Sequence, residues 1–258
     1  MWFDEIMDDC KQALITANKF KAIFIPIFLK LALSIALFGY IFVSFITSII
    51  RHSYVFEYIY TDPSAILELF PALIINGVVI YLLVLVGFSI LDVGSINMFK
   101  VALNDEKPRY KDFTEGIKKY FFKVVLGKLF MHFLIIITLP VTALLYIVYA
   151  VIAGTLTAGW GLLFAGVFVS IYLGTWVPII VIEGYSPLKA IGKSIKLGAK
   201  YFKGLFIVLL ASTLISSYST VIFGVLAAVL AGWLIAGIVA TYFNLVVMLV
   251  YYRNREGL

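Results

Sequence analysis

The sequence predicts an all-α integral membrane protein of six transmembrane helices, arranged as three hairpins, each preceded by a cytoplasmic amphipathic helix. Three observations lead there. Of 258 residues, 63% are hydrophobic and only 13% charged, and the mean hydropathy is +1.08, whereas soluble domains are roughly half apolar and about a quarter charged. Uncharged runs of spanning length recur along the chain. Lysines and arginines gather in alternate connecting segments. No polar stretch is long enough to fold separately, so residues 1–258 read as one membrane domain.

A spanning helix needs about 20 consecutive apolar residues. Leu31 to Ile50 and Leu69 to Leu91 are free of charge, and each suits one crossing. Leu129 to Ile182 contains no Asp, Glu, Lys or Arg and is long enough for two, with Gly154 to Gly161 as the turn. Pro140 removes a backbone donor in the third span and predicts a kink there. Gly204 to Tyr252 again suits two spans, with a turn expected at Ala228 to Trp233.

Basic residues set the orientation, because cytoplasmic loops carry an excess of Lys and Arg. One side collects Lys11, Lys19, Lys21 and Lys30, then Lys100 to Lys128, Lys189 to Lys203, and Arg253 with Arg255. The other holds Arg51 beside Glu57, Asp62 and Glu68. A cell-membrane, multi-pass protein with both termini in the cytoplasm is expected. Asp4, Glu5, Asp8 and Asp9 are the reverse of a basic signal-peptide start, so the first hydrophobic helix is expected to stay in the protein. Tyr58, Tyr60, Trp160, Tyr251 and Tyr252 read as interfacial anchors.

The cytoplasmic segments resemble one another. Phe20-Lys21-Ala22-Ile23-Phe24-Ile25 aligns with Phe202-Lys203-Gly204-Leu205-Phe206-Ile207, and Phe122-Lys123-Val124-Val125-Leu126 fits the same frame. Each closes an amphipathic stretch and opens a hairpin, which suggests repeat units 1–98, 110–182 and 186–252. The apolar faces are Phe3, Ile6, Met7, Cys10, Leu14 and Ala17; Phe113, Ile117, Tyr120, Phe121 and Val124; and Leu188, Ile191, Ile195 and Phe202. Asp112 and Glu115 have capping-box spacing, and Ser186 with Pro187 reads as N-cap and first helical position. On the third stretch Lys189, Lys193, Lys196, Lys200 and Lys203 are spaced to share one helical side, with no acid between Gly184 and Arg255. Such a helix lies in the interface with its lysines among anionic headgroups. The plainer reading is that these lysines only fix topology.

Candidates for chemistry are few. Lys30, Asp92, Lys128, His132 and Glu183 sit near the cytoplasmic boundary, and Asp92 is placed to pair with Lys30 or Lys128 across neighbouring helices. In the fifth span, Ser212, Thr213, Ser216, Ser217, Ser219 and Thr220 suit close helix packing, or else the lining of a ligand groove. The single cysteine, Cys10, excludes an intrachain disulfide. Two histidines and scattered acids offer no metal cluster, no catalytic constellation and no phosphate loop, so neither an enzyme nor a cofactor is expected.

The segment from Trp176 to Ser194 carries Pro178, Glu183, Ala190 and Ser194 in an arrangement that resembles the membrane domain attached to some glycerophosphodiester phosphodiesterases. It is similar too to related YciC-like and uncharacterised prokaryotic membrane proteins. The resemblance implies a six-span bundle linked to membrane or lipid homeostasis. The catalytic domain of those hydrolases has no counterpart here, so their activity is not implied. The expected function is a non-enzymatic scaffold or accessory factor whose partners are the bilayer and its anionic headgroups rather than nucleic acid. Self-association or a partner membrane protein stays open. The alternative is a small-molecule or lipid transporter or channel with a polar path near the fifth span. Impermeant thiol reagents applied from the cytosolic side are expected to label cysteines placed at Lys118 and at Lys196 alike; labelling from opposite faces would dismantle the three-hairpin scheme.

Overall fold

Long uncharged runs favour helix in lipid, because a helix satisfies its own backbone polar groups where no water can. A computed structural model of the chain describes residues 2–51, 69–222 and 227–255, and these are helical almost throughout. Among the described residues the order is α1 (Trp2–Lys19), a 3-10 turn (Lys21–Phe24), α2 (Ile25–Arg51), α3 (Leu69–Leu103), α4 (Tyr110–Ala153), α5 (Thr155–Leu173), α6 (Trp176–Glu183), α7 (Pro187–Lys200), α8 (Phe202–Ile222) and α9 (Ala227–Asn254). Four stretches are long and apolar enough to cross a membrane, and a fifth qualifies if the bent pair α7–α8 is one span. His52, Glu57, Tyr58, Tyr60, Asp62 and Glu68 lie outside the described residues.

The second unit departs from the expected plan. Its amphipathic stretch is no separate surface helix but the first turns of α4, which runs unbroken for 44 residues and continues through Pro140. At 1.5 Å per residue it is about 66 Å long, well beyond a hydrocarbon core of about 30 Å. Gly116, Gly127 and Pro140 do not break it, and the apolar face of its first turns packs on protein rather than lipid: Phe113, Tyr120 and Val124 are buried, with the Phe113 ring over Gly94 of α3. The Asn97 side chain donates to the Asp112 carbonyl (2.6 Å) and ties the two helices. The helix also starts earlier than expected, with Asp112 at its third position accepting from the Arg109 backbone N–H (2.7 Å).

The other two units do break. Phe20 interrupts α1 from the turn that leads to α2, and Tyr201 separates α7 from α8 at an angle of 97°. The expected turn in the first long run narrows to Gly154, and Ala228 to Trp233, expected as the last turn, is helical.

Burial is concentrated at one end. Val93, Phe99, Val124, Ile171, Ile179, Leu197, Leu205 and Met248 belong to one buried cluster, to which α1, the 3-10 turn and α3 to α9 all contribute. By contrast, Phe38 to Ile50, Ile74 to Val86 and Phe133 to Ile152 carry long series of exposed bulky apolar side chains. Tyr251 joins the buried cluster at 0% exposure, which corrects its reading as an interfacial anchor; the Trp160 side chain lies outside the described residues. The N-terminal helix is fastened to the end of α9. Arg253 donates to the Glu5 carbonyl and pairs with buried Asp9, whose carboxyl is pushed up to about 6 by burial.

Packing around α7 is close enough to exclude a side chain at Gly198. A Cβ there would lie 2.6 Å from the Ile171 carbonyl oxygen and 3.0 Å from the Tyr172 Cα. Gly198→Leu is expected to destabilise the protein by about 2 kcal/mol or more through overpacking, read as a lower unfolding temperature in detergent. An unchanged melting profile would contradict this packing.

Candidate functional site

Ala190, Ser194 and Gly198 recur every fourth residue, so all three fall on one face of α7, and all three are buried. Ser194 donates to the Tyr172 carbonyl (2.7 Å) and stands 2.6 Å from the Thr175 hydroxyl. With its single proton spent on Tyr172, Ser194 accepts from Thr175. The inward side is thus built of small residues with Ile191 and Leu197, whereas Leu188 and Ile195, expected to share a face with Ile191, are exposed. The helix presents three faces: one to protein, one bulky and apolar, and one carrying Lys189, Lys193, Lys196 and Lys200. Lys189 and Lys193 stand 4.1 and 5.1 Å from the centre of the Tyr185 ring. Lys203, expected on the same side of a single helix, falls beyond Tyr201 on α8, because the chain turns there.

The corner that aims α7 is made by α6. Gly184 ends this helix at φ 72°, a left-handed conformation that favours glycine. Carbonyls at such an end have no partner within the helix. Here Lys100 of α3 donates to the carbonyls of Val181 (3.0 Å) and Ile182 (3.1 Å), and Lys123 of α4 donates to that of Gly184 (2.5 Å). Cations at a helix C-terminus also oppose its dipole. Glu183 accepts from the buried Tyr251 hydroxyl (3.3 Å), and Pro178 is buried. Sequence reasoning missed the capping roles of Lys100 and Lys123, since nothing local in α3 or α4 marks a partner 60 to 80 residues away.

The structure brings Lys30, Asp92 and Lys128 together. One Asp92 oxygen is 2.7 Å from the Lys30 ammonium and the other is 2.7 Å from that of Lys128. Each belongs to a different helix, and each stands at the edge of an uncharged run, so the three define one level. The side chains are 17 to 35% exposed. His132 instead meets Tyr81, whose hydroxyl lies 3.0 Å from Nδ1.

Beside the trio is a groove of about 590 Å³ between the 3-10 turn, α2, α3, α6 and α9. Its walls are mostly apolar; the polar lining is Lys30 and Ser34 of α2, Asp92 and Ser95 of α3, and Thr241 and Asn244 of α9. The fifth-span residues Ser212 and Thr213 do not line it, and Thr213 turns back onto the Leu209 carbonyl (2.8 Å). The side chains of Ser216, Ser217, Ser219 and Thr220 lie outside the described residues. Asn244 was legible but overlooked: it is the one amide side chain in the uncharged run from Gly204 to Tyr252.

An all-helical chain with several membrane-length apolar helices and its ionised groups held at their margins is a membrane protein. No family model, no curated protein and no solved structure matches it.

Replacing Asp92 by Leu leaves two ammonium groups facing each other without their counter-ion. We expect a loss of about 2 kcal/mol, discounted for partial exposure. The triple change Lys30→Met, Asp92→Leu, Lys128→Met is expected to lose less than Asp92→Leu alone. Equal losses in detergent denaturation would show that the charges are not coupled.

Proposed function

We propose that this chain is a non-enzymatic membrane scaffold or accessory protein that engages anionic lipid through its basic surface helix. The observation that carries the reading is the make-up of α7. It turns 97° from the helix that follows and exposes Leu188 and Ile195 next to Lys189, Lys193, Lys196 and Lys200. A helix that lies across the bilayer surface needs an apolar strip for the acyl region and cations for the headgroups. Attraction of about 1 kcal/mol per basic residue near an acidic leaflet makes four lysines significant together.

In this reading the chain crosses the membrane six times, with both termini on the cytosolic side, in agreement with the distribution of Lys and Arg. The repeat reading is supported by a shared plan in the first and third units. A helix with small buried residues at four-residue spacing (Ala13 and Ala17; Ala190 and Ser194) ends at an aromatic break before a basic residue and a span. We place the chain near the membrane domains of the phosphodiesterase-linked family on the strength of Pro178, Glu183, Ala190 and Ser194. All four lie at the corner between α6 and α7, where they serve packing and helix direction. A transport role is the second reading, favoured by the groove beside Lys30 and Asp92.

Changing Lys189, Lys193, Lys196, Lys200 and Lys203 to glutamine is expected to weaken the association of all but one tightly held phosphatidylglycerol molecule at least tenfold relative to phosphatidylcholine, as measured by lipid retention on purification. Unchanged retention would remove the lipid role of α7.

A further inference from the structure

We infer that the groove between α2, α3 and α9 is a binding site for one phospholipid whose headgroup carries a single net negative charge. The site depends on membrane embedding but not on the lysines of α7. Cavities of roughly 300–1,000 Å³ with mainly apolar walls and a few convergent polar groups are typical of small-molecule sites. This one, at about 590 Å³, falls within that range.

Charge selects the occupant. Asp92 gives one oxygen to Lys30 and the other to Lys128, so the trio holds two cations against one anion. Lys30 and Asp92 are the ionised residues that line the groove; Lys128, outside the lining, takes the second Asp92 oxygen, so Asp92 is shared and does not neutralise Lys30 alone. A lysine ammonium has three donor protons; Asp92 takes one from Lys30, whose side chain is about a third exposed (35%). Asn244 of α9, an exposed residue, adds an amide to the lining. An anionic oxygen reaching Lys30 meets charge and hydrogen-bond donors together, which makes short and strong contacts.

Depth selects a lipid over a soluble anion. Lys30 immediately precedes the uncharged run of α2, and Asp92 immediately follows that of α3, so these charges lie at the hydrocarbon margin, with Ile23, Ile27, Ile96 and Phe99 continuing the groove away from the spans. Leu31 and Ser34 of α2 and Phe88 of α3 line the groove on the span side of these groups. Headgroup at the margin and acyl chain toward the interior is the arrangement a phospholipid already has in the bilayer. Burying it in the groove needs no reorientation.

The test is native mass spectrometry of the full chain in detergent, titrated separately with phosphatidylglycerol, phosphatidylcholine and inorganic phosphate. The variant with all five lysines from Lys189 to Lys203 changed to glutamine is expected to keep a single tight phosphatidylglycerol adduct, which separates this site from headgroup adhesion by α7. Ala240→Trp, which fills the groove without touching an ion pair, is expected to weaken that adduct at least tenfold. Lys30→Gln removes the surplus charge and leaves Asp92 with Lys128; it is expected to bring the affinities for the two lipids within about twofold of each other. Circular dichroism and melting temperature check each fold, and Asn244→Leu carries the same expectation as Ala240→Trp should that variant not fold. An adduct of unchanged affinity in the groove-filling variant overturns the site. An unchanged preference in Lys30→Gln overturns the charge selection. Displacement of the lipid by millimolar inorganic phosphate overturns the lipid as occupant in favour of a soluble anion.

Discussion

A helix that ends inside a protein leaves its last carbonyls without partners, and burying them unpaired is costly. The end of α6 poses this problem among residues with no solvent exposure at Ile179, Ile180 and Val181. Lys100 and Lys123 answer it from α3 and α4, and in doing so lock the longest pair of helices to the corner where the chain turns into α7. The same two helices contribute Asp92 and Lys128, which hold α2 through Lys30. Both polar clusters therefore hang on one antiparallel pair. Loss of that pairing would release α2 on one side and α6 on the other.

The distribution of buried residues follows from the two solvents. Apolar side chains gain nothing by leaving lipid for protein, so spans in a bilayer have no hydrophobic drive to associate. Where the helices run into water that drive returns, at about 25 cal/mol per Å² of apolar area. The buried cluster accordingly gathers where α3, α4 and α6 to α9 carry their charged residues, while Phe133 to Ile152 of α4 stay exposed. The second amphipathic stretch shows the same effect. Its apolar face looked like a membrane-surface face in sequence, yet Phe113, Tyr120 and Val124 find protein instead. An apolar stripe records that something covers it, not whether the cover is lipid or another helix.

Spans were legible because charge is rare in them and marks their ends; a run such as Leu31 to Ile50 needs no knowledge of its neighbours. The grouping of Lys30, Asp92 and Lys128 was open to the same reasoning, since three ionised groups at one depth have few partners besides each other. Contacts between distant segments were not. Lys100 and Lys123 look like ordinary boundary lysines until α6 is placed beside them, and the break at Tyr201 has no proline or glycine to announce it. On α7 the bulky residues were read as the packing face, and Ala190 and Ser194 only as motif positions, although with Gly198 they decide which side faces protein. Bulk signals burial in a soluble helix, but close approach of backbones demands the opposite.

The lysine stripe owes its direction to this small-residue face. With Gly198 set against the Ile171 carbonyl and Ser194 bonded to Tyr172, α7 cannot rotate without driving larger side chains into backbone. Its lysines are thus oriented by packing on the far side, with Tyr185 beneath Lys189 and Lys193 and the Tyr201 ring beside Lys200. One short helix supplies the other half of the constraint. Val177 and Pro178 of α6 border the groove, and seven residues after Val177 the same segment turns at Gly184 into α7. Because that helix is buried and capped by two lysines, the wall of the groove and the bearing of the basic helix are set by a single rigid piece of chain.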